Sequence, residues 1–110
     1  MVFYLYQRSY SQAAIKAMVA NPSDREAAAR KLKEAQGGKQ HHPFFAFGAY
    51  DLICVIDGPD DTFMLAASAA VGSAGTASSS STVKLITAAH AVAAMTLAGK
   101  ATGAQNPPHG

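Results

Sequence analysis

Five apolar residues follow one another at Leu52-Ile53-Cys54-Val55-Ile56, with charged residues on both sides. An uninterrupted apolar run of this length is typical of a central strand that is covered on both faces. We therefore predict a strand over residues 50–57 in the middle of a sheet. Cys54, in mid-strand, is expected to be a buried and unreactive thiol, because nothing near it in the sequence would lower its pKa.

Strand and helix patterns alternate on either side of this run. Further strands are predicted over residues 2–10, 39–47 and 76–85, and helices over 24–36, 62–74 and 86–97. Another helix follows the capping residue Ser11 and stops at Asn21-Pro22, because proline pushes the residue before it out of the helical conformation. For the serine-rich segment 76–85, a flexible linker is the alternative to a strand.

Helix ends and buried helix positions can also be predicted. Ser23 and Glu26 form the pattern of a capping box for the helix 24–36. That helix is expected to bury Ala28, Leu32 and Ala35. The first helix is expected to bury Ile15, Met18 and Val19. Gly99 is expected to end the last helix, which leaves residues 100–110 as a tail without structure of its own.

The order of these elements is β-α-β-β-α-β with an additional C-terminal helix, which is the order of a ferredoxin-like α+β fold. Residues 1–99 would form one domain with a four-stranded antiparallel sheet, followed by the tail 100–110. Because both helices of this fold pack on one face of the sheet, the other face is left bare. A bare apolar sheet face requires a partner.

The charged residues are very unevenly distributed. Fourteen of the sixteen lie in the first 61 positions, and only Lys84 and Lys100 follow Asp61. Charged residues make up 15% of the chain, against about 25% in ordinary soluble domains. Since interface cores are depleted in charge, we predict a homodimer or a larger homo-oligomer. The alternative is a small alanine-rich monomer.

Composition excludes several other classes of protein. With 49% hydrophobic residues the chain has enough apolar side chains to build a core, so it is not a disordered chain. A net charge of +2 argues against a nucleic acid or a membrane as partner. The single cysteine excludes a disulfide framework. Residues 1–8 lack the pattern of a signal peptide, and the uncharged stretch 85–99 is too short to span a membrane, so a cytoplasmic location is expected.

Two neighbouring segments carry a resemblance to a known family. They are Phe47-Gly48-Ala49-Tyr50-Asp51-Leu52 and Ile56-Asp57-Gly58-Pro59-Asp60-Asp61. In motif and spacing they resemble the GYD domain proteins, which are small bacterial and archaeal chains. With Tyr10 and Gly75 the resemblance extends over about residues 2–95. It implies a ferredoxin-like fold of the dimeric α/β-barrel type, without a settled activity.

The chain departs from the family pattern at two places. Ala77 and the serine run Ser78–Ser81 stand where the family usually has a basic residue and threonines. Position 57, an aspartate here, is more often a glutamate in the family. A role in holding an anionic ligand, if the usual basic residue has one, is therefore not carried over to this chain.

Four residues near the predicted hairpin are candidates for binding a ligand: Tyr10, Tyr50, Asp51 and Asp57. One hypothesis brings Tyr50 or Asp51 together with Tyr10 and Asp57 in a cleft beneath the helices. The alternative is structural: Asp51 bonds nearby backbone N–H groups and Asp57 caps the turn that follows it. An Asp57 left unpaired at the end of a buried strand could act as a general base.

Histidines are the weak candidates for a metal or a haem. His41 and His42 are adjacent in a predicted strand, so their rings would point to opposite faces, and no third ligand stands at a suitable spacing. His90 lies among alanines on the last helix. Related barrel proteins that bind haem use a helical histidine, so haem stays an alternative. No cofactor is predicted.

Two functions are consistent with these observations. The first is a homo-oligomeric domain that binds or senses a small molecule, with sheets packed face to face and no catalytic residues. The alternative is a small-molecule enzyme of the dimeric barrel kind, an isomerase, decarboxylase or monooxygenase, with Tyr10, Tyr50, Asp57 and one histidine in its cleft. Whether those side chains converge on a pocket discriminates between the two.

Overall fold

The computed structural model describes residues 1–22 and 25–105, which form one antiparallel sheet and four helices. In chain order the elements are β1 Val2–Tyr10, α1 Gln12–Ala20, α2 Arg25–Ala35, β2 Lys39–Phe45, β3 Leu52–Gly58, α3 Asp61–Ser73, β4 Ala77–Leu85 and α4 Ala88–Gln105. The strands are arranged in the order β2-β3-β1-β4, and every neighbouring pair is antiparallel. The predicted ferredoxin-like α+β fold is confirmed.

The sheet has two different faces, because side chains alternate along each strand. We call the side covered by α1, α2 and α3 the helix face. It carries Tyr4, Tyr6, Arg8, Tyr10, Leu52, Cys54 and Ile56, all of which are buried. We call the other side the open face. Its apolar side chains are Phe3, Leu5, Ile53, Val55, Val83 and Leu85, none of which is fully buried.

The hydrophobic core lies between the helix face and α3. Phe63, Met64 and Ala67 of α3 pack against strand residues that include Cys54, so the thiol is buried as predicted. Asp60 caps α3, since its Oδ1 accepts a hydrogen bond from the Phe63 backbone N at 2.9 Å. A smaller cluster joins Ala14 of α1 to Tyr10 and Leu52.

Both predictions of buried helix positions need correction. Among the α2 residues whose burial the structure describes, Lys33 is buried, at 6% exposed, whereas Leu32 is 58% exposed and Ala35 is also exposed. The long side chain of Lys33 reaches β2 and donates from Nζ to Gln40 Oε1 at 3.0 Å. In α1, Ala14 is buried and Met18 half-buried, but Ile15 and Val19 are exposed. Ser23 and the side chains of Glu26 and Ala28 lie outside the described part of the chain.

The connection between β2 and β3 is longer than predicted. Pairing stops at Phe45 and Leu52, so β2 does not reach Phe47 and β3 does not begin at Tyr50. The connection is closed by the Ala46 backbone N, which donates to the Asp51 O at 2.8 Å. Gly48 has φ +107°, a conformation that favours glycine, and this is the physical reason for the glycine of the motif.

The second half of the chain contains one confirmed element and one that was wrongly bounded. The serine-rich segment is a strand, β4, and not a flexible linker. The last helix continues through Gly99 to Gln105, because Gly99 does not adopt the left-handed conformation that ends a helix. Apart from the half-buried Ala91, α4 is exposed along residues 88–103. None of the described helices combines the length with the apolar character that a membrane-spanning segment requires.

Candidate functional site

The hairpin residues of the family motif stabilise the end of β1. The Asp51 carboxylate Oδ2 accepts a hydrogen bond from the Tyr10 backbone N at 2.9 Å, and the Asp51 backbone N donates to the Arg8 O at 3.0 Å. The Tyr10 side chain is buried on the helix face, with its ring 6.0 Å from that of Phe45. Tyr50 lies half-buried in the connection. Asp51 therefore makes the kind of backbone contact that the structural alternative described.

Asp57 lies on the open face, on the opposite side of the sheet from Tyr10. Its Oδ2 accepts a hydrogen bond from His41 Nε2 at 2.8 Å. The hydrogen bond found for the Asp57 carboxylate among the described residues is the one to His41, and the cap of the following helix is Asp60. The structure thus separates the residues that the cleft hypothesis required. Tyr10 and Asp51 are in contact at the end of β1, whereas Asp57 and His41 are in contact on the open face.

His42 and His90, the other histidines that the structure describes, do not join this pair into a metal site. The rings of His41 and His42 are 6.2 Å apart, and His42 has a positive φ of 46° at an irregularity in the β2–β3 pairing. His90 is exposed on α4. Among the described residues, no three or more His, Cys, Asp or Glu side chains come together in a way that could hold a metal ion.

A groove lies between α3 and β4 on the helix face. α3 packs on the helix face through Phe63, Met64 and Ala67, and the groove runs along its side as far as Thr82 of β4. Its volume is about 280 Å³. We call it the α3–β4 groove; it is lined by Tyr4, Asp61, Met64, Leu65, Ser68 and Thr82. Its walls are largely apolar, with a few polar groups at the edges.

The polar end of the groove is a hydrogen-bonded set of three side chains. The buried Tyr4 hydroxyl donates to Asp61 Oδ1, and Lys84 Nζ donates to Asp61 Oδ2 at 3.1 Å. Burial and the hydrogen bond to Asp61 raise the pKa of Tyr4 to about 12. The hydrogen bonds from Tyr4 and Lys84 lower the pKa of Asp61, so this carboxylate is ionised at neutral pH. At the other end, Ser68 Oγ and Thr82 Oγ1 are 3.4 Å apart.

Tyr4→Phe is expected to change how stability depends on alkaline pH. The folded protein holds the Tyr4 proton up to pH 12, whereas the unfolded chain releases it near pH 10. The unfolded state therefore binds fewer protons in this range, and the free energy of unfolding falls as pH rises from 10 to 12. In Tyr4→Phe this contribution is absent, so the free energy of unfolding should fall less between pH 10 and pH 12. Urea denaturation at several pH values measures it.

Tyr6→Phe is the matched control on the same strand and face. The Tyr6 hydroxyl is buried and has no hydrogen-bond partner among the described residues, so this substitution breaks no such bond. The control should keep the alkaline fall of the unmodified protein. An identical dependence of stability on pH for Tyr4→Phe and the unmodified protein would contradict the raised pKa of Tyr4.

Sequence reasoning missed the residues of this groove, although two signals pointed to it. The first signal is Lys84, which is one of only two charged residues after Asp61. The second is the pair of consecutive carboxylates Asp60 and Asp61 in the motif, because a helix cap requires only one of them. Another missed residue is Arg8, which is 6% exposed on the helix face. Its guanidinium carbon lies 5.8 Å from the ring centroid of Tyr6 and 5.2 Å from that of Tyr10.

The fold and these sites define a small α+β domain of the ferredoxin-like class, with an open sheet face and a groove between α3 and β4. The family model for the GYD domain matches residues 4–103, which is nearly the whole chain. The chain belongs to the GYD domain family. Comparisons with curated proteins and with solved structures gave no match.

Proposed function

We propose that this chain is a homodimeric domain that binds a small molecule. The open face of the sheet holds a second copy, and the α3–β4 groove holds the ligand. The observation that carries the binding function is the groove itself, in which an apolar cavity of about 280 Å³ meets a few polar groups. Small-molecule sites usually combine an apolar lining with a small number of polar groups in this way.

The open face supports the homodimer. Leu5 pairs with Val55 on one side and Val83 on the other, and Phe3 pairs with Leu85, so apolar side chains form a continuous area across three strands. Soluble monomers rarely expose a contiguous apolar area of this kind. The Asp57 carboxylate at its edge already accepts a hydrogen bond from His41, so covering this edge does not leave that carboxylate without a hydrogen-bond partner. The dimeric barrel fold that the family resemblance implies agrees with this arrangement.

Substitution of Leu5 by lysine tests the homodimer. Light scattering during gel filtration should give twice the chain mass of 11.3 kDa for the unmodified protein and the single-chain mass for Leu5→Lys. Burying an unpaired ammonium in an apolar interface is strongly unfavourable, so dissociation is expected to increase at least a hundredfold. The matched control is Val19→Lys, at a residue of α1 that is 74% exposed on the other side of the sheet.

Either of two results overturns the homodimer: a single-chain mass for the unmodified protein at all concentrations, or a dimer that persists in Leu5→Lys. Circular dichroism of Leu5→Lys distinguishes dissociation from unfolding. Because Leu5 is only partly buried in the single chain, the variant is expected to keep its secondary structure.

Titration with benzyl alcohol tests the groove. Its aromatic ring can contact Met64 and Leu65 while its hydroxyl reaches the polar end. We expect a saturable shift of the Met64 methyl resonance, which Met64→Leu identifies. Ser68→Leu fills the groove and should remove the shift, whereas Ser73→Leu on the exposed end of the same helix should keep it. A shift that survives Ser68→Leu would argue against binding in the groove.

The enzyme alternative receives no support from the geometry. It needs Tyr10, Tyr50, Asp57 and a histidine in one cleft. Asp57 and His41 lie on the open face, whereas Tyr10 is buried on the helix face. These groups therefore do not converge on a reacting atom.

A further inference from the structure

The charges at the polar end of the α3–β4 groove restrict what it can bind. Asp61 contributes one negative charge and Lys84 one positive charge, and the two side chains are in direct contact at 3.1 Å. Tyr4 stays protonated and adds no charge at neutral pH. Lys84 is not itself a lining residue and adjoins the groove through Asp61, while the other lining residues, Met64, Leu65, Ser68 and Thr82, are uncharged. The groove and the adjoining Lys84 together are therefore electrically neutral.

The same groups keep unused hydrogen-bonding capacity. An ammonium group has three donors and a carboxylate has about four acceptor positions, and each uses only part of these in the contacts described. A ligand hydroxyl can thus donate to Asp61 and accept from Lys84 without separating them. An ionised group placed there would instead be repelled by one member of the pair and would lose water of hydration beside Met64 and Leu65.

We propose that the ligand of the α3–β4 groove is a neutral molecule with a compact apolar body and one hydroxyl group, such as an alcohol or a phenol. This rests on the proposed binding function and specifies the class of its ligand. The Asp61–Lys84 pair is the specificity determinant: it selects against carboxylate and ammonium ligands of the same shape. The apolar body lies against Met64 and Leu65, and the hydroxyl contacts both charged groups while they stay in contact with each other.

Three probes with the same ring but different charge test the class of ligand. They are benzyl alcohol, benzoate and benzylamine at pH 7, each titrated into the full chain while the Met64 methyl resonance is followed. Benzyl alcohol should bind at least about threefold more tightly than either ion. The difference is modest because the side chains of Asp61 and Lys84 are 67% and 53% exposed, so water screens their charges.

Two charge-removing variants should redirect this preference in opposite directions. Lys84→Met leaves the Asp61 carboxylate without its ammonium partner, and benzylamine should then bind more tightly than benzoate. Asp61→Asn leaves the ammonium of Lys84, and benzoate should then bind more tightly than benzylamine. Lys100→Met removes the same charge from α4, at a residue that belongs neither to the groove lining nor to the hydrogen-bonded set of Tyr4, Asp61 and Lys84, and should leave the order of the three probes unchanged. Both groove variants replace exposed side chains, so the fold is expected to persist.

The outcomes separate this proposal from the function on which it rests. If none of the three probes shifts the Met64 resonance, the binding function of the groove is overturned. If benzoate or benzylamine binds as tightly as benzyl alcohol, the groove binds small molecules but the neutral class is wrong. If the two variants do not reverse the order of the ions, Asp61 and Lys84 are not the specificity determinant.

Discussion

Gly58→Ala is expected to destabilise the fold by about 2–3 kcal/mol, because the Phe63 ring occupies the space that the alanine side chain would need. A Cβ at this position would lie 2.1 Å from Phe63 Cδ1. The ring has little room to move away, since a Cβ at Gly38 would also overlap it, at 2.0 Å from Cζ. The backbone of Phe63 is also held in position, because its N–H donates a hydrogen bond to the capping residue Asp60. Urea denaturation followed by circular dichroism measures the loss.

Gly72→Ala is the matched glycine substitution. Nothing lies within 4 Å of a Cβ built at this position on α3, so alanine should stabilise the helix by about 0.5–1 kcal/mol. The loss at Gly58 should also be smaller in a Phe63→Leu background, because the two side chains would no longer overlap. A Gly58→Ala protein as stable as the unmodified chain would show that Phe63 can move at no cost.

Asp51→Ala is expected to lower the free energy of unfolding by about 2 kcal/mol, the size of effect seen for a hydrogen bond with an ionised partner. The reason is that the Tyr10 backbone N loses its carboxylate acceptor, while Tyr10 itself is buried. Thermal and urea denaturation both measure this change.

Asp51→Asn distinguishes the contribution of the Asp51 hydrogen bond to stability from the contribution of its charge. The amide oxygen can still accept from the Tyr10 N, so this variant should recover more than half of the stability that alanine removes. Equal stability of Asp51→Ala and the unmodified protein would mean that the motif aspartate is kept for a reason other than the end of β1. Benzyl alcohol binding in the α3–β4 groove should be the same in both variants, because Asp51 does not line it.

Much of the fold could be predicted because the signals are local. The alternation in residues 2–10, the apolar run at 52–56 and the break at Asn21-Pro22 each depend on neighbouring residues alone. The end of α4 could not be predicted in this way. A glycine ends a helix only when it takes up a left-handed conformation, and composition does not show that Gly99 keeps an ordinary one.

The site was harder to predict, because it depends on which face each carboxylate occupies. Asp51, Asp57, Asp60 and Asp61 lie within eleven positions of one another, yet they bind a backbone N–H, a histidine, a helix end and a tyrosine, respectively. Strand register and the first residue of α3 determine these partners. Neither can be predicted from residue type to within one position, which is the accuracy needed to assign these partners.

The central place of β1 in the sheet has a consequence for how the molecule assembles during synthesis. One edge of β1 pairs with β3, but the other pairs with β4, where Phe3 meets Leu85 and Tyr10 meets Ala77. β1 is therefore synthesised well before β4, and its second edge stays open until the chain between the two strands has been made. Contacts this distant in sequence slow folding, and an open edge that carries Tyr4, Leu5 and Tyr6 invites pairing with other nascent chains.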